Sequence, residues 1–323
     1  PEIHRSFQST DMADFRTYYE QELRPLLAPL EASRKKVKRL GLLGYLVIGL
    51  FVLFIILSNG SFDVVSGVLA ILSFVAIIVI WVIFWKQRKA FRLMFKEQIV
   101  RKLIGYVDPE LCYEPGRCIP EREYKMSGLF QTSPDRYNGD DYLEGVHDKT
   151  RFSCSELHTE YKVNSGKNTH WETIFKGLFF IGDFNKYFSG RTYVWTADAP
   201  QLNFMSRLFS SFARELEKVN LESAEFNRRF IVYSTDQVEA RYILTPSFME
   251  RLVRLQQMTS TDTSMSFVQT NIHIAIPMKE DLFEPAVFGA NDFSRLEQFR
   301  ATIQIVYEII DELKLNERLW TKE

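Results

Sequence analysis

The sequence predicts a membrane α-helical hairpin followed by a cytoplasmic α+β domain with a mainly antiparallel sheet. Three observations carry that fold class. Leu40 to Leu57 contains no ionisable side chain except Tyr45, and Val64 to Trp85 contains none. At a rise of about 1.5 Å per residue, helices of that length cross a hydrocarbon layer about 30 Å thick. From Tyr142 onward the apolar period becomes alternating, with short turns of the kind that join antiparallel strands. Those strands come in groups separated by helices, which is the α+β pattern.

Continuous apolar helices can also fill the centre of a large soluble domain. Both segments here are uncharged over the spanning length and bracketed by basic residues, which favours membrane spans. The first begins some forty residues in and lacks a small-residue cleavage site, so the hairpin is expected to be retained. Arg34, Lys35, Lys36, Lys38 and Arg39 precede the first span, and Lys86, Arg88, Lys89, Arg92 and Lys96 follow the second. The loop Ser58–Asp63 has no Lys or Arg, so the positive-inside bias puts both termini in the cytoplasm. Trp81 and Trp85 stand where the second helix should emerge at the interface.

Four regions follow: an N-terminal helical arm (1–39), the hairpin (40–85), a juxtamembrane helix and connector (86–125), and the α+β domain (126–323). The arm is expected to be helical from Asp11 to Lys38, with Thr10 as its cap and a kink or break at Pro25 and Pro29. Its stripe of Phe15, Tyr18, Tyr19, Leu23, Leu26, Leu27 and Leu30 needs cover, from the chain's own domain or from another copy or partner. The second span should run on past the membrane until Gly105 and Asp108-Pro109 stop it.

In the α+β domain, Asp135–Asp141 reads as a turn-rich surface segment. Strands are expected at Tyr142–Val146, Arg151–Val163, Trp171–Ile181, Arg191–Thr196, Phe230–Tyr233, Ala240–Leu244 and Ser266–Pro277. Helices are expected at Phe204–Val219, from Thr245-Pro246 to about Met258, and at Asp292–Leu315.

At this point a family resemblance enters. The two-span hairpin, Phe175-Lys176-Gly177-Leu178-Phe179-Phe180 with Asp183-Phe184-Asn185-Lys186 and Gly190-Arg191-Thr192, and Phe226-Asn227-Arg228-Arg229-Phe230 with Ala240–Pro246 carry it. The chain resembles a bacterial family of two-span membrane proteins known as domain of unknown function 3137. The resemblance runs from the arm through the second helix of the cytoplasmic domain. It implies a bacterial inner-membrane setting and supplies no catalytic residues.

A net charge of −1 argues against a nucleic-acid-binding surface. Cys112, Cys118 and Cys154 lack zinc-ligand spacing and read as reduced thiols. None of the five histidines has a partner at metal-ligand spacing, and His147, His158 and Cys154 form the one thiol–imidazole combination to consider, across a hairpin. The acidic residues Asp135, Asp140, Asp141, Glu144 and Asp148 lack calcium-loop spacing and read as a solvated loop. No phosphate loop, dinucleotide fingerprint or serine-hydrolase elbow is present. No catalytic residue, metal or cofactor is called for, and an enzyme is the third-ranked reading. If a pocket exists, Trp171, Arg191, Tyr193, Trp195, Arg241 and Tyr242 are where strand-borne aromatics and arginines would line it, although cross-strand packing is their commoner use.

The expected partners are membrane lipid and either a protein or a second copy of the chain. The basic set Arg34, Lys35, Lys36, Lys38, Arg39, Lys86, Arg88, Lys89 and Arg92 is expected to face lipid, where it sets topology or senses anionic headgroups. Gly41, Gly44, Gly49, Gly67 and Ser73 offer small faces for helix packing, within one hairpin or between copies. The leading functional expectation is a membrane-anchored interaction or scaffold module at the inner membrane. Its alternatives are a sensor of anionic lipid and a membrane-tethered enzyme.

Overall fold

A computed structural model describes residues 14–57, 63–166, 168–184, 186–197, 215–313 and 315. The chain forms two compact units. One is the chain through Tyr106 together with Phe283–Arg300, and the other is Val107–Leu282 together with the chain from Ala301.

The first unit is built on two long helical rods. Residues Asp14–Leu57 are helical throughout: a turn to Tyr18, a π-turn Tyr19–Leu23, and helix α1, Arg24–Leu57. The expected break at Pro25 and Pro29 does not occur. The Arg24 N–H reaches back to the Tyr19 carbonyl, so the chain widens by one residue just before the first proline and leaves room for its ring. The expected cap at Thr10 lies outside the described residues. Helix α2, Val64–Phe95, starts on Asp63, whose side chain accepts from the Ser66 N–H at 2.9 Å. It passes through a π-turn, Lys96–Val100, into α3, Arg101–Val107. Gly105 is helical, so the stop belongs to Asp108-Pro109 alone.

The apolar stripe of the arm is covered within the same chain. Phe15 and Leu23 are fully buried. Phe15 meets Phe293 at 5.4 Å and Tyr106 at 5.8 Å between ring centroids, and Tyr18 stacks on Tyr106 at 4.2 Å.

The second unit holds one antiparallel sheet of nine strands: β1 (Cys112–Glu114), β2 (Arg136–His147), β3 (Thr150–Ser165), β4 (Asn168–Asp183), β5 (Arg191–Thr196), β6 (Glu217–Lys218), β7 (Phe230–Ser234), β8 (Ser264–Val268) and β9 (Asn271–Pro277). Their order is β1-β2-β3-β4-β9-β8-β5-β7-β6. The helices of this unit are α4 (Glu121–Met126), α5 (Ala224–Arg229), α6 (Gln237–Ile243), α7 (Pro246–Thr259) and the C-terminal part of α8, which spans Phe293–Leu313. The α+β class with an antiparallel sheet is therefore observed.

Several expected elements are corrected. Asp135–Asp141 is not a loop: β2 already starts at Arg136, and Asp140 pairs with Glu156 before a bulge resets the register at Leu143. The connector before residue 126 contains β1 and α4. Ala240–Leu244 is not a strand, because Asp236 accepts from the N–H groups of Val238 and Glu239, both at 2.9 Å, and nucleates α6. Ser266–Pro277 divides into β8 and β9 around Gln269-Thr270, with Gln269 in the left-handed region. Of the helix expected at 204–219, the part through residue 214 lies outside the described residues, and its end is β6 rather than helix.

The two faces of the sheet follow from alternation. One face carries Leu157, Phe175, Phe179, Ile181, Tyr193, Trp195 and Ala275, which pack with Tyr124 of α4 into a buried aromatic cluster. The opposite face carries Phe152, Cys154, Phe180 and Ile274, and Tyr307 of α8 packs edge-on against Phe152 at 6.1 Å. Gly177 is required where β4 crosses from one pairing to the next. At φ +150 a side chain there would strike the Ile276 carbonyl.

Candidate functional site

Among the recesses that the described residues form in the sheet unit, two lie on opposite faces of the sheet. The larger is an open groove of about 980 Å³, floored by Leu178 and Ile276 on the sheet and walled by Met258 at the end of α7 and Ile305 on α8. Its rim is polar and includes Arg229, Gln256, Lys279 and Glu280. An apolar floor with a mixed-charge rim suits an amphipathic polypeptide segment better than a small charged metabolite.

The smaller recess, about 520 Å³, opens on the other face between α4 and the ends of β2, β3, β4 and β9. Arg122, Glu144, Arg151, Asp183 and His273 line it. His273 is almost wholly buried, and burial pushes its imidazole down to about 4, so the ring is neutral at neutral pH. Its Nδ1 lies 3.4 Å from Ser266 Oγ, but Ser266 is completely buried and paired across β8 and β9. A hydroxyl that no substrate can reach does not serve as a nucleophile, and this pair is a packing contact.

An acidic trio, Asp140, Asp141 and Glu156, has carboxylate oxygens all within 4.8 Å of one another. Asp141, left-handed at the bulge, accepts from Tyr113 Oη at 2.5 Å, and Glu156 accepts from the Leu282 N–H at 2.6 Å. Burial, then the neighbouring Asp140, Asp281 and Asp141, raises the Glu156 carboxyl to about 8. Of the acidic residues expected in a solvated loop, Asp140, Asp141 and Glu144 belong to β2, with Asp141 buried, while Asp135 and Asp148 are exposed.

Of the expected pocket residues the structure brings together Arg191, Tyr193 and Trp195, with Arg191 hydrogen-bonded to Tyr193, and not the other three. Tyr193 and Trp195 stack on each other at 5.2 Å inside the core. Trp171 lies on the β3–β4 hairpin under the Arg136 guanidinium, 3.5 Å from the ring centroid. Tyr242 is exposed beneath Lys186, Arg241 donates to the Gln237 carbonyl, and Arg191 is exposed at the start of β5. Nor do His147, His158 and Cys154 meet. In the β2–β3 register His147 faces Thr150 while His158 faces Asn138, which separates them by about 25 Å at the usual strand rise. Cys154 is fully buried, and burial pushes its thiol up to about 12. All three cysteines are free.

In the helical unit the basic set divides. Lys35, Lys36, Arg39, Lys86 and Lys89 are exposed, with Lys38 and Arg88 half-buried. Arg34 and Arg92 are committed to the protein: Arg34 bonds Glu31 and the Val287 carbonyl, and Arg92 pairs with Glu284. Lys96, also paired with Glu284 at 3.0 Å, is buried. The glycines divide too. A side chain at Gly44 would contact Ile80 and Trp81 of the opposite helix, whereas among the described residues nothing lies within 4 Å of one at Gly49 or Gly67. The Ser73 hydroxyl is used within its own helix, on the Leu69 carbonyl.

Sequence reasoning missed the groove. Its residues come from β4, α5, α7, β9 and α8, and each reads alone as ordinary core or surface.

The molecule thus joins a pair of apolar helices to an antiparallel-sheet unit with open recesses, which defines a class by architecture rather than by chemistry. Residues 173–315 match the family model described as "Protein of unknown function (DUF3137)", bearing out the resemblance over that segment. The hairpin lies outside the match. No curated protein matches the chain in sequence. Among solved structures, the crystal structure of the mycobacterial trehalose monomycolate transport factor A, TtfA, is similar at a TM-score of 0.36 and 10% identity, over 67% of this chain and 94% of that one. A likeness at that level carries no functional argument.

Proposed function

We propose that the protein is a membrane-anchored interaction module of the bacterial inner membrane, with both termini cytoplasmic and the sheet unit binding a protein partner or another copy of the chain. One observation carries the anchor. The most apolar windows of the two helical rods are only 11% and 6% buried. A core helix of a soluble protein would be covered on most sides; these present Leu, Ile, Val and Phe outward nearly all round, which supports lipid as their surroundings. The charge asymmetry across the spans supports the orientation. The groove on the sheet, apolar below and polar at its rim, supports binding over catalysis.

The test is crosslinking with mass spectrometry from native membranes, followed by mass measurement of the gently purified chain. Crosslinks from Lys279 at the groove rim to another polypeptide are the expected outcome. A strictly monomeric particle with no partner and no groove crosslink refutes the interaction reading and leaves the anchor standing.

A further inference from the structure

Between β9 and α8 the chain enters the helical unit as a loop fastened at several points. Arg92 and Lys96 pair with the Glu284 carboxylate, and Arg295 donates to the Glu284 carbonyl at 2.7 Å. The Asn291 side chain accepts from the Ala286 N–H at 2.7 Å and donates to its carbonyl at 3.0 Å, closing a ring. Arg34 donates to the carbonyls of Val287 and Gly289, on either side of a single residue. That residue, Phe288, is 50% exposed, while Val287 before it is buried. No side chain from Pro285 to Ala290 is ionisable.

Scattered exposed aromatics are ordinary. This one is distinguished by its level. Its ring lies on Gly41, where a β-carbon would come within 3.0 Å of both Phe288 Cζ and Phe84 Cε2. Gly41 is the second residue of the first apolar run, and Phe84 is the last but one of the second. The loop tip therefore stands where α1 enters the apolar zone and α2 leaves it, the level of Phe84 and of its chain neighbour Trp85, itself 54% exposed. Trp and Tyr rings concentrate at that level of a bilayer, and apolar side chains such as Phe bury just beneath it.

We propose that the Pro285–Ala290 loop is a third membrane contact of this chain, a wedge whose Phe288 ring and uncharged tip are buried in the lipid interface on the side of the basic flanks. It rests on the membrane reading of the helices, and the partner is the lipid surface itself. Arg34, Arg92 and Arg295, all half-buried, and the buried Lys96 grip the base of the loop through its carbonyls and Glu284, so the tip meets lipid already shaped. The chain is then fastened to the bilayer both before and after the nine strands of the sheet.

The experiment places a spin label at F288C in the full-length chain, in phosphatidylethanolamine–phosphatidylglycerol vesicles, in a background carrying C112S and C118S; the remaining Cys154 is fully buried. Collision rates with oxygen, which partitions into lipid, are compared with those of a water-soluble nickel chelate. A label at L72C, in the middle of α2, reports the membrane reading, and one at Y187C, 68% exposed on the sheet unit, reports water. The expected result is an oxygen-to-nickel ratio at position 288 several-fold above that at 187, approaching that at 72. A second label at A290C guards against local disturbance at 288. If 72 is in lipid while 288 and 290 match 187, the wedge is overturned and the anchor survives. Shielding of 288 and 290 from both reagents overturns it as well, by assigning the tip to protein contact. An aqueous label at 72 overturns the membrane reading, and the wedge with it.

Discussion

Helix α2 and strands β8 and β9 draw on the same apolar residues and treat them oppositely. In α2, Val64 is 85% exposed, Leu72 60% and Val82 62%; in β8 and β9, Met265, Phe267, Ile272 and Ile274 are all fully buried. A strand in water hides its apolar faces against other layers, at about 25 cal/mol for each Å² removed from solvent. A helix that faces lipid has no such incentive and needs only to satisfy its own backbone, which the α-helix does internally. The difference teaches that stability is held in different currencies in the two units, so like substitutions should have unlike outcomes.

The sharpest contrast is in the core. Trp195 is completely buried and stacked on Tyr193 with the planes 5° apart. Trp195→Ala should cost the sheet unit about 3–5 kcal/mol, from lost transfer energy plus the cavity. Denaturant unfolding in detergent, followed by far-ultraviolet dichroism, measures it. Leu72→Ala should leave the same transition within about 0.5 kcal/mol. Equal effects would break the comparison.

The reverse experiment adds charge. Leu72→Arg puts a guanidinium near the centre of a span and should cost about 2.5–3.5 kcal/mol of insertion free energy. Tyr187→Arg, on the exposed surface of the sheet unit, should be silent. Resistance to alkaline extraction from membranes reads the first, and thermal unfolding the second. Full retention of the Leu72→Arg chain in membranes would contradict a lipid-facing α2.

A third contrast lies in titration. The sheet unit buries Glu156 with its carboxyl raised from 4.5 to about 8. The proton is held more tightly folded than unfolded, so this group's contribution is fully present below pH 4.5 and is lost as pH rises through about 8. The slope reaches at most about 1.4 kcal/mol per pH unit. Glu156→Gln, which keeps the shape without the titration, should flatten that loss between pH 5 and 8. His273 works the other way: its depressed pKa of about 4 makes the neutral ring stabilising above 6.5, with loss as pH falls toward 4. An unchanged pH profile in Glu156→Gln would show that the carboxyl is solvated.

How far the sequence shows these things depends on how local the cause is. Arg191–Thr196 alternates and appears as β5 with the expected bounds, and Thr245-Pro246 opens α7 where a cap and a proline should. Asp236 defeated the strand reading of Ala240–Leu244, because one capping carboxylate outweighs a short β-like run. Gln269-Thr270 hid a hairpin, since neither residue is the Gly or Asn that usually marks one. The candidate sites were least visible. Arg34 looks like one more topology-setting cation until the carbonyls it bonds, more than 250 residues later, are in place. The groove needs five elements before its floor and walls are complete.

The smallest expected effects probe the helix pair from inside and outside. A β-carbon at Gly44 would sit 3.5 Å from Ile80 and 3.7 Å from Trp81, ordinary contact distances, so Gly44→Ala is accommodated while Gly44→Leu must push the helices apart. At Gly49 and Gly67 no described residue lies within 4 Å of such an atom. Alanine at either should therefore leave intramolecular pairing intact and add about 0.5–1 kcal/mol of helix propensity. Disulfide trapping between cysteines introduced on α1 and α2 measures the pairing within one chain, and trapping between differently tagged copies measures contact between chains. Gly44→Leu should lower only the first. If Gly49→Leu or Gly67→Leu instead lowers the second, the bare glycines are where two copies meet, and lipid is not the sole neighbour of that face. If neither signal moves, lipid alone covers it, and the contrast between lipid-facing helices and a water-excluding sheet holds along the whole span.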